Sequence, residues 1–115
     1  MRKLRLVVIL AAAMALVLPS TAQASVLIKA TSGDVFRPHK VSIAKGTKVV
    51  WKNTASFKHT VTSYSKNWSK NVTLTPGSTT SFTFKAAGTY KFRCTIHSTL
   101  TNGVCSGMCG KVVVG

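Results

Sequence analysis

Apolar and polar residues alternate with a period of two along much of the chain after residue 24. Phe82 and Phe84 share one face of such a run, and Tyr90, Phe92 and Cys94 share one face of another. Successive side chains of a β-strand point to opposite faces, so this alternation is typical of strands with one buried side. No stretch of this region sustains a helical period over three turns. The pattern therefore predicts an all-β fold.

Seven short strands are predicted, separated by turns. They cover residues 26–31, 39–44, 47–53, 59–63, 80–85, 89–96 and 111–114. Glycine-containing dipeptides such as Lys45-Gly46, Pro76-Gly77 and Asn102-Gly103 mark several of the turns. So many strands in so short a chain favour a single domain built as a two-sheet antiparallel β-sandwich or a flattened barrel. Residues 65–79 are the least regular stretch, although Trp68 suggests that it packs against the body.

The N-terminal segment has the composition of an export signal. Three cations lie within residues 1–5, and residues 6–18 form an uncharged run rich in Ala, Val and Leu. This run is too short to span a bilayer comfortably. The Ala22-Gln23-Ala24 sequence that follows is typical of a signal-peptidase site. We therefore expect residues 1–24 to be a secretory signal peptide and residues 25–115 to be a domain exported to the periplasm or the exterior.

The charge of the chain is one-sided. The chain contains sixteen Lys and Arg residues and a single carboxylate side chain, Asp34, which gives a formal net charge of +15. This excludes mechanisms that need paired carboxylates, such as those of ordinary glycosidases and aspartic proteases. Removing residues 1–24 takes away three cations and leaves 13 against one anion, a net charge of +12. Acidic redox proteins, a membrane-bound oxidase or reductase, and anionic surfaces are the expected partners. The cations are spread along the chain, so specific nucleic-acid binding is not expected.

Four residues form a candidate metal site. The alternation that points Phe92 inward also points Cys94 inward, and His97 follows three residues later in a predicted loop. Met108 adds a weak thioether, and His59, at a predicted strand start, supplies a second imidazole. A thiolate, two imidazoles and a thioether suit copper that cycles between Cu(I) and Cu(II). Each residue also has a plainer interpretation: Cys94 could be half of a disulfide, the histidines could lie on the surface, and Met108 could fill the core.

The chain resembles the cupredoxin family of small blue copper proteins. The resemblance is carried, in order, by Phe36-Arg37-Pro38, Val49-Val50-Trp51-Lys52-Asn53, His59-Thr60-Val61, Gly88-Thr89-Tyr90-Lys91-Phe92-Arg93-Cys94, His97 and Gly107-Met108-Cys109-Gly110. It implies a Greek-key sandwich with one type 1 copper, bound by His59, Cys94 and His97 with Met108 as the axial ligand. It also implies electron shuttling as the activity, with no enzymatic turnover, and hydrogen-bond support for the ligands near Asn53 and Thr54.

The segment between His97 and Met108 is longer than in the short-loop members of that family, and it contains Cys105. Cys109 directly follows Met108. A disulfide between Cys105 and Cys109 would tie this segment and leave Cys94 for the metal, provided that the chain turns tightly between the two cysteines. The opposing possibility is a disulfide from Cys94 to either of them.

Two other functions remain open at this point. An exported protein for copper delivery or storage would use the same ligands without a redox circuit. A structural zinc module would use Cys94, His97, Cys105 and Cys109 and would need three reduced thiols. For the protein itself we expect a monomer.

Overall fold

The computed structural model describes Lys3 and residues 24–115. The predicted signal peptide, residues 1–24, therefore lies almost wholly outside the described residues. No helix within the described part is long and apolar enough to cross a membrane.

Nine strands make up the described chain. They are β1 Ser25–Ala30, β2 Phe36–Arg37, β3 Lys40–Ile43, β4 Thr47–Asn53, β5 His59–Ser63, β6 Asn71–Leu74, β7 Thr79–Phe84, β8 Gly88–Thr101 and β9 Val104–Val114. All seven predicted strands are present. The alternation did not reveal β2, which is only two residues long, or β6, which lies in the stretch predicted to be irregular. The last two strands are also longer than predicted, because they continue as a hairpin around the Asn102-Gly103 turn.

The strands form two sheets that face each other. The four-stranded sheet has the order β2-β1-β4-β7, and the five-stranded sheet has the order β3-β9-β8-β5-β6. This architecture confirms the predicted single-domain β-sandwich. Most neighbouring strands are antiparallel, but β1 pairs with β4 and β3 pairs with β9 in parallel. These crossovers between sequence-distant strands cannot be read from local alternation, because parallel neighbours require long connections.

Aromatic side chains fill the space between the sheets. Trp51 of β4 is fully buried, and its ring lies 5.3 Å from that of Phe92 on β8 and 6.1 Å from that of Trp68. Phe36 packs edge-on against Phe92 at 4.9 Å. Trp68 is 9% exposed, so the irregular segment does pack against the body, as predicted. Burial of such large side chains supplies most of the stabilisation of a small domain.

The longest strand pair, β8 with β9, is interrupted by a bulge. Arg93 pairs with Cys109, and the next pair along the ladder joins Ser98 to Gly107. The segment Cys94–His97 on β8 is therefore accommodated opposite Met108 alone on β9. Extra residues on one strand bend it and redirect its side chains, and such irregularities are common next to functional sites. His97, predicted to lie in a loop, instead lies within this irregular part of β8.

Candidate metal centre

Cys94 projects into the protein interior from the start of the bulge. It is fully buried, and it is the free cysteine of the described chain. The backbone N–H of Thr60 donates a hydrogen bond to its sulfur at 3.3 Å. This hydrogen bond helps to fix the position of the sulfur atom. The strand alternation thus predicted the inward direction of Cys94 correctly.

His59 is the first residue of β5, and its side chain is completely buried. Its Nε2 lies 2.8 Å from the carbonyl oxygen of Thr31, which can only accept a hydrogen bond. The proton of the neutral ring is therefore on Nε2, and the lone pair is on Nδ1. Burial lowers the pKa of His59, an effect that the Thr31 carbonyl opposes and the nearby His97 reinforces. The ring is thus kept neutral, as a metal-ligating imidazole must be.

His97 lies closer to the surface than His59. Its side chain is 24% exposed, and its Nε2 lies 3.5 Å from the carboxylate of Asp34. A carboxylate beside Nε2 favours the proton on that nitrogen and again leaves Nδ1 free to bind a metal. The ring of Phe57 packs edge-on against both imidazoles, with ring centres 5.1 Å from His59 and 5.6 Å from His97. Both rings are therefore held by a contact on Nε2 and by the same aromatic neighbour.

The three side chains converge on one point. The Nδ1 atoms of His59 and His97 lie 3.6 Å and 3.5 Å from the sulfur of Cys94. The three potential ligand atoms all lie within 4.8 Å of one another. One sulfur and two imidazole nitrogens with available lone pairs make a donor set that suits copper. The residues present therefore fit a copper ion.

Met108 occupies the β9 position opposite the bulge. Its side chain is fully buried and belongs to the hydrophobic core cluster. The neighbouring Gly107 has φ +99°, and a Cβ there would lie 2.5 Å from the carbonyl oxygen of His97. This close approach of the two backbones brings β9 against the segment that carries His97. The position of Met108 is compatible with an axial role, but its burial is equally that of a core side chain.

A disulfide joins Cys105 to Cys109, with a Cα–Cα distance of 6.1 Å. An extended strand would separate residues four apart by about 13 Å, so β9 bends sharply between the two cysteines, where Gly107 has a positive φ. Because both sulfurs are used, Cys105 and Cys109 cannot also bind a metal. The alternative of a structural zinc module with these cysteines as ligands is therefore wrong for this structure.

The contacts that hold the proposed ligand side chains in place differ in part from those predicted near Asn53 and Thr54. The side chain of Asn53 accepts a hydrogen bond from the Ala55 N–H and donates to the carbonyls of Phe57 and Leu74. It organises the loop before His59 and makes no contact with a ligand atom itself. The direct contacts come from Thr60, Thr31 and Asp34. Sequence reasoning, which expected support near Asn53 and Thr54, missed all three, and the only available signal was that Asp34 is the single carboxylate side chain of the chain.

Comparison with known proteins agrees with this fold. A family model described as a cupredoxin-like domain matches residues 4–105. The chain is 34% identical over 122 residues to the chloroplastic plastocyanin of Silene latifolia subsp. alba, covering 94% of this chain and 70% of that protein. It is 34% identical over 104 residues to the plastocyanin of Lactuca sativa, covering 79% of this chain and 99% of that protein. Among solved structures, a purple cupredoxin from Nitrosopumilus maritimus shares the fold, with a TM-score of 0.64, 24% identity and coverage of 78% and 99%.

Proposed function

The chain belongs to the cupredoxin family, and we propose that it is a copper protein that carries single electrons between redox partners. The observation that carries this proposal is the convergence of the Cys94 sulfur and the Nδ1 atoms of His59 and His97 within 4.8 Å. Copper would supply a one-electron change between Cu(II) and Cu(I). We propose His59, Cys94 and His97 as its principal ligands and the thioether of Met108 as a weak axial ligand.

The protein's own contribution would be a site that changes little when the electron moves. His59 and Cys94 are fully buried, and each is fixed by a hydrogen bond with backbone, to Thr31 and from Thr60 respectively. The ligands also come from β5 and β8, which are neighbours in the five-stranded sheet. Ligands held by packed strands keep their positions more precisely than ligands on free loops. A donor set that does not rearrange favours rapid electron transfer over chemical turnover.

His97 offers the shortest route from the site to the surface. It is the only one of the three proposed principal ligands with a partly exposed side chain, and exposed apolar residues lie beside it in the chain and in space. Ile96 is 55% exposed and Phe57 is 39% exposed. We propose that a redox partner docks against this end of the protein. With 13 cations against one anion in residues 25–115, an acidic partner would be attracted, and added salt would slow the association.

We also propose that the functional protein is the exported domain of residues 25–115. The position of the first strand supports this division, because β1 begins at Ser25, directly after the expected cleavage site. A covalent disulfide also fits an oxidising compartment outside the cytoplasm. Mass spectrometry of the protein recovered from its host should give Ser25 as the first residue, whereas an intact Met1 would contradict export with cleavage.

Voltammetry combined with a copper chelator tests the proposed carrier function against copper delivery or storage. A carrier should give a reversible one-electron response and retain its copper in both oxidation states during incubation with a strong Cu(I) chelator. A delivery protein should lose the metal to the chelator on reduction. Loss of copper in every reduced sample, with no reversible response, would overturn the carrier proposal while leaving the ligand assignment intact.

A further inference from the structure

A row of lysines crosses the outer face of the five-stranded sheet. Lys111 of β9 is the Cα partner of Lys40 on β3 and also of Lys91 on β8. Partners across neighbouring strands point to the same face, and all three side chains are exposed. Like charges directly opposite each other destabilise a sheet. Three adjacent ammonium groups therefore carry a repulsion that a bound anion would relieve.

The hairpin formed by the ends of β8 and β9 turns this charged face into a groove. A cavity of about 350 Å³ is lined on one side by Lys91, Lys111 and Tyr64 of the sheet region. Its other side is formed by Gly103 and Val104 at the hairpin tip, together with the disulfide of Cys105 and Cys109. The hairpin thus leans over the lysines. A concave site with a low-dielectric wall strengthens the local field of the charges inside it.

Hydrogen-bond donors accompany the two ammonium groups. His39 and Tyr64 also line the cavity, and burial raises the pKa of Tyr64, so its phenol stays protonated and can donate. The single carboxylate side chain of the chain, Asp34, contacts His97 and is not among the lining residues. The groove therefore contains cations and donors with no side-chain anion to neutralise them.

We propose that this groove binds a multivalent oxyanion of the phosphate class, free in solution or as the headgroup of an anionic lipid. Lys91 and Lys111 supply the two charges, and His39 and Tyr64 supply further donors. The site is separate from the proposed metal centre, because Lys91 and Lys111 lie on the outer face of the sheet whereas Cys94 points into the interior. Anion binding at this site requires no metal, so the proposal can be tested independently of the proposed function.

The chain provides a matched control for this proposal. Lys29 of β1 and Lys52 of β4 are also Cα partners on adjacent strands, and both are exposed. They belong to the other sheet and do not line the groove. A variant with Lys29→Gln and Lys52→Gln therefore removes the same charge, also from partners on adjacent strands, as a variant with Lys91→Gln and Lys111→Gln, although the first pair joins parallel strands and the second antiparallel ones.

The test is a titration of the unaltered protein and both variants with sodium pyrophosphate at constant ionic strength, monitored by NMR. All three proteins are first treated with ascorbate. Saturable shifts are expected at the amides of Lys91, Val104 and Lys111. Binding should weaken by about tenfold or more in the Lys91/Lys111 variant and by less than about threefold in the Lys29/Lys52 variant. Sedimentation with phosphatidylglycerol vesicles forms a parallel arm. Loss of binding in the Lys91/Lys111 variant but not in the Lys29/Lys52 variant supports the site. Whether this loss is seen with pyrophosphate or with the vesicles identifies the source of the phosphate group.

Two results would overturn the proposal. Equal weakening in both double variants would mean that only the net charge attracts the anion. Failure of pyrophosphate and of the vesicles to bind saturably to the unaltered protein would mean that the groove is not an anion site. Melting curves of the two variants show whether either fails to fold, and neither should, because each removes a repulsive pair.

Discussion

The two halves of the β8–β9 ladder are held together in different ways. The inner half pairs residues 88–93 with residues 109–114, and its inward side chains are buried in the core, those of Phe92 and Val112 completely. The outer half pairs residues 98–101 with residues 104–107, and Leu100 and Val104 there are 39% and 69% exposed. The inner half is therefore stabilised by tertiary packing, whereas the outer half depends on its turn, on its backbone contacts and on the disulfide that ties it to Cys109 of the inner half.

The metal centre lies at the junction of these halves. Cys94 and His97 belong to the bulge that separates them, and Met108 is the single residue opposite. The difference suggests a division of roles. The packed half fixes the ligands, and the projecting half shapes the surface around them. Changes in the inner half should therefore reduce global stability, and changes at the junction should alter the site itself.

The largest effect is expected in the inner half. Replacing Phe92 with Ala removes a fully buried ring that contacts both Trp51 and Phe36. The free energy of unfolding should fall by about 3–5 kcal/mol, because the lost contacts leave a cavity. Denaturant unfolding followed by tryptophan fluorescence measures this value. A loss below about 1 kcal/mol would contradict the assignment of the inner half to the packed core.

The next effect is expected at the junction. Gly107→Ala combines a positive φ with a Cβ placed 2.5 Å from the carbonyl oxygen of His97, so it should cost about 3 kcal/mol and change the visible spectrum of the copper-loaded protein. Gly103→Ala is the matched control. Its φ is also positive, at +76°, but nothing lies within 4 Å of the added Cβ.

The control should cost only about 1–2 kcal/mol of backbone strain and leave the spectrum unchanged. Equal spectral changes in the two variants would show that the outer hairpin as a whole, and not the contact of Gly107 with His97, sets the geometry of the site.

A third effect is expected from the disulfide, which ties Cys105 of the outer half to Cys109 at the adjoining end of the inner half. Replacing Cys105 and Cys109 together with Ser opens a loop of five residues, which should lower the free energy of unfolding by about 2 kcal/mol. Hydrogen exchange should accelerate at the amides of Leu100 and Val104 more than at that of Phe92. Uniform acceleration along the whole ladder would contradict the separate stabilisation of its two halves.

The smallest effect on stability is expected from Asp34→Asn. The carboxylate is 48% exposed and lies 3.5 Å from Nε2 of His97, so removing its charge should change the free energy of unfolding by less than about 1 kcal/mol. Copper affinity should nevertheless fall about tenfold, because groups that orient a ligand imidazole affect metal binding. Chelator competition measures this change. An unchanged affinity would show that Phe57 and the bulge alone orient His97.

The sequence predicted the inner half better than the junction. Alternation placed Tyr90, Phe92 and Cys94 on one inward face, and all three are buried, because a strand packed on a core must obey a period of two. The same rule could not place His97, since the bulge interrupts the alternation. The strand β6 was missed although Asn71-Val72-Thr73-Leu74 alternates polar and apolar residues, because a run of only four residues is too short to stand out within an otherwise irregular stretch.

The proposed ligands were predicted by residue type, but their supporting contacts were not. Thr31 and Asp34 lie in the connection between β1 and β2, far in sequence from His59 and His97. Only the pairing of distant strands brings this connection to the metal centre, and that pairing leaves no local pattern. The Cys105–Cys109 bridge was predictable because three intervening residues that include a glycine can turn tightly enough to close it.

The visible absorption spectrum of the copper-loaded, oxidised protein tests the central claim most directly, which is that Cys94 binds copper together with His59 and His97. We predict an intense thiolate-to-copper charge-transfer band that is absent from a Cys94→Ser variant carrying the same amount of copper. A pale spectrum that is identical in the two proteins, with copper bound in both, would contradict the claim.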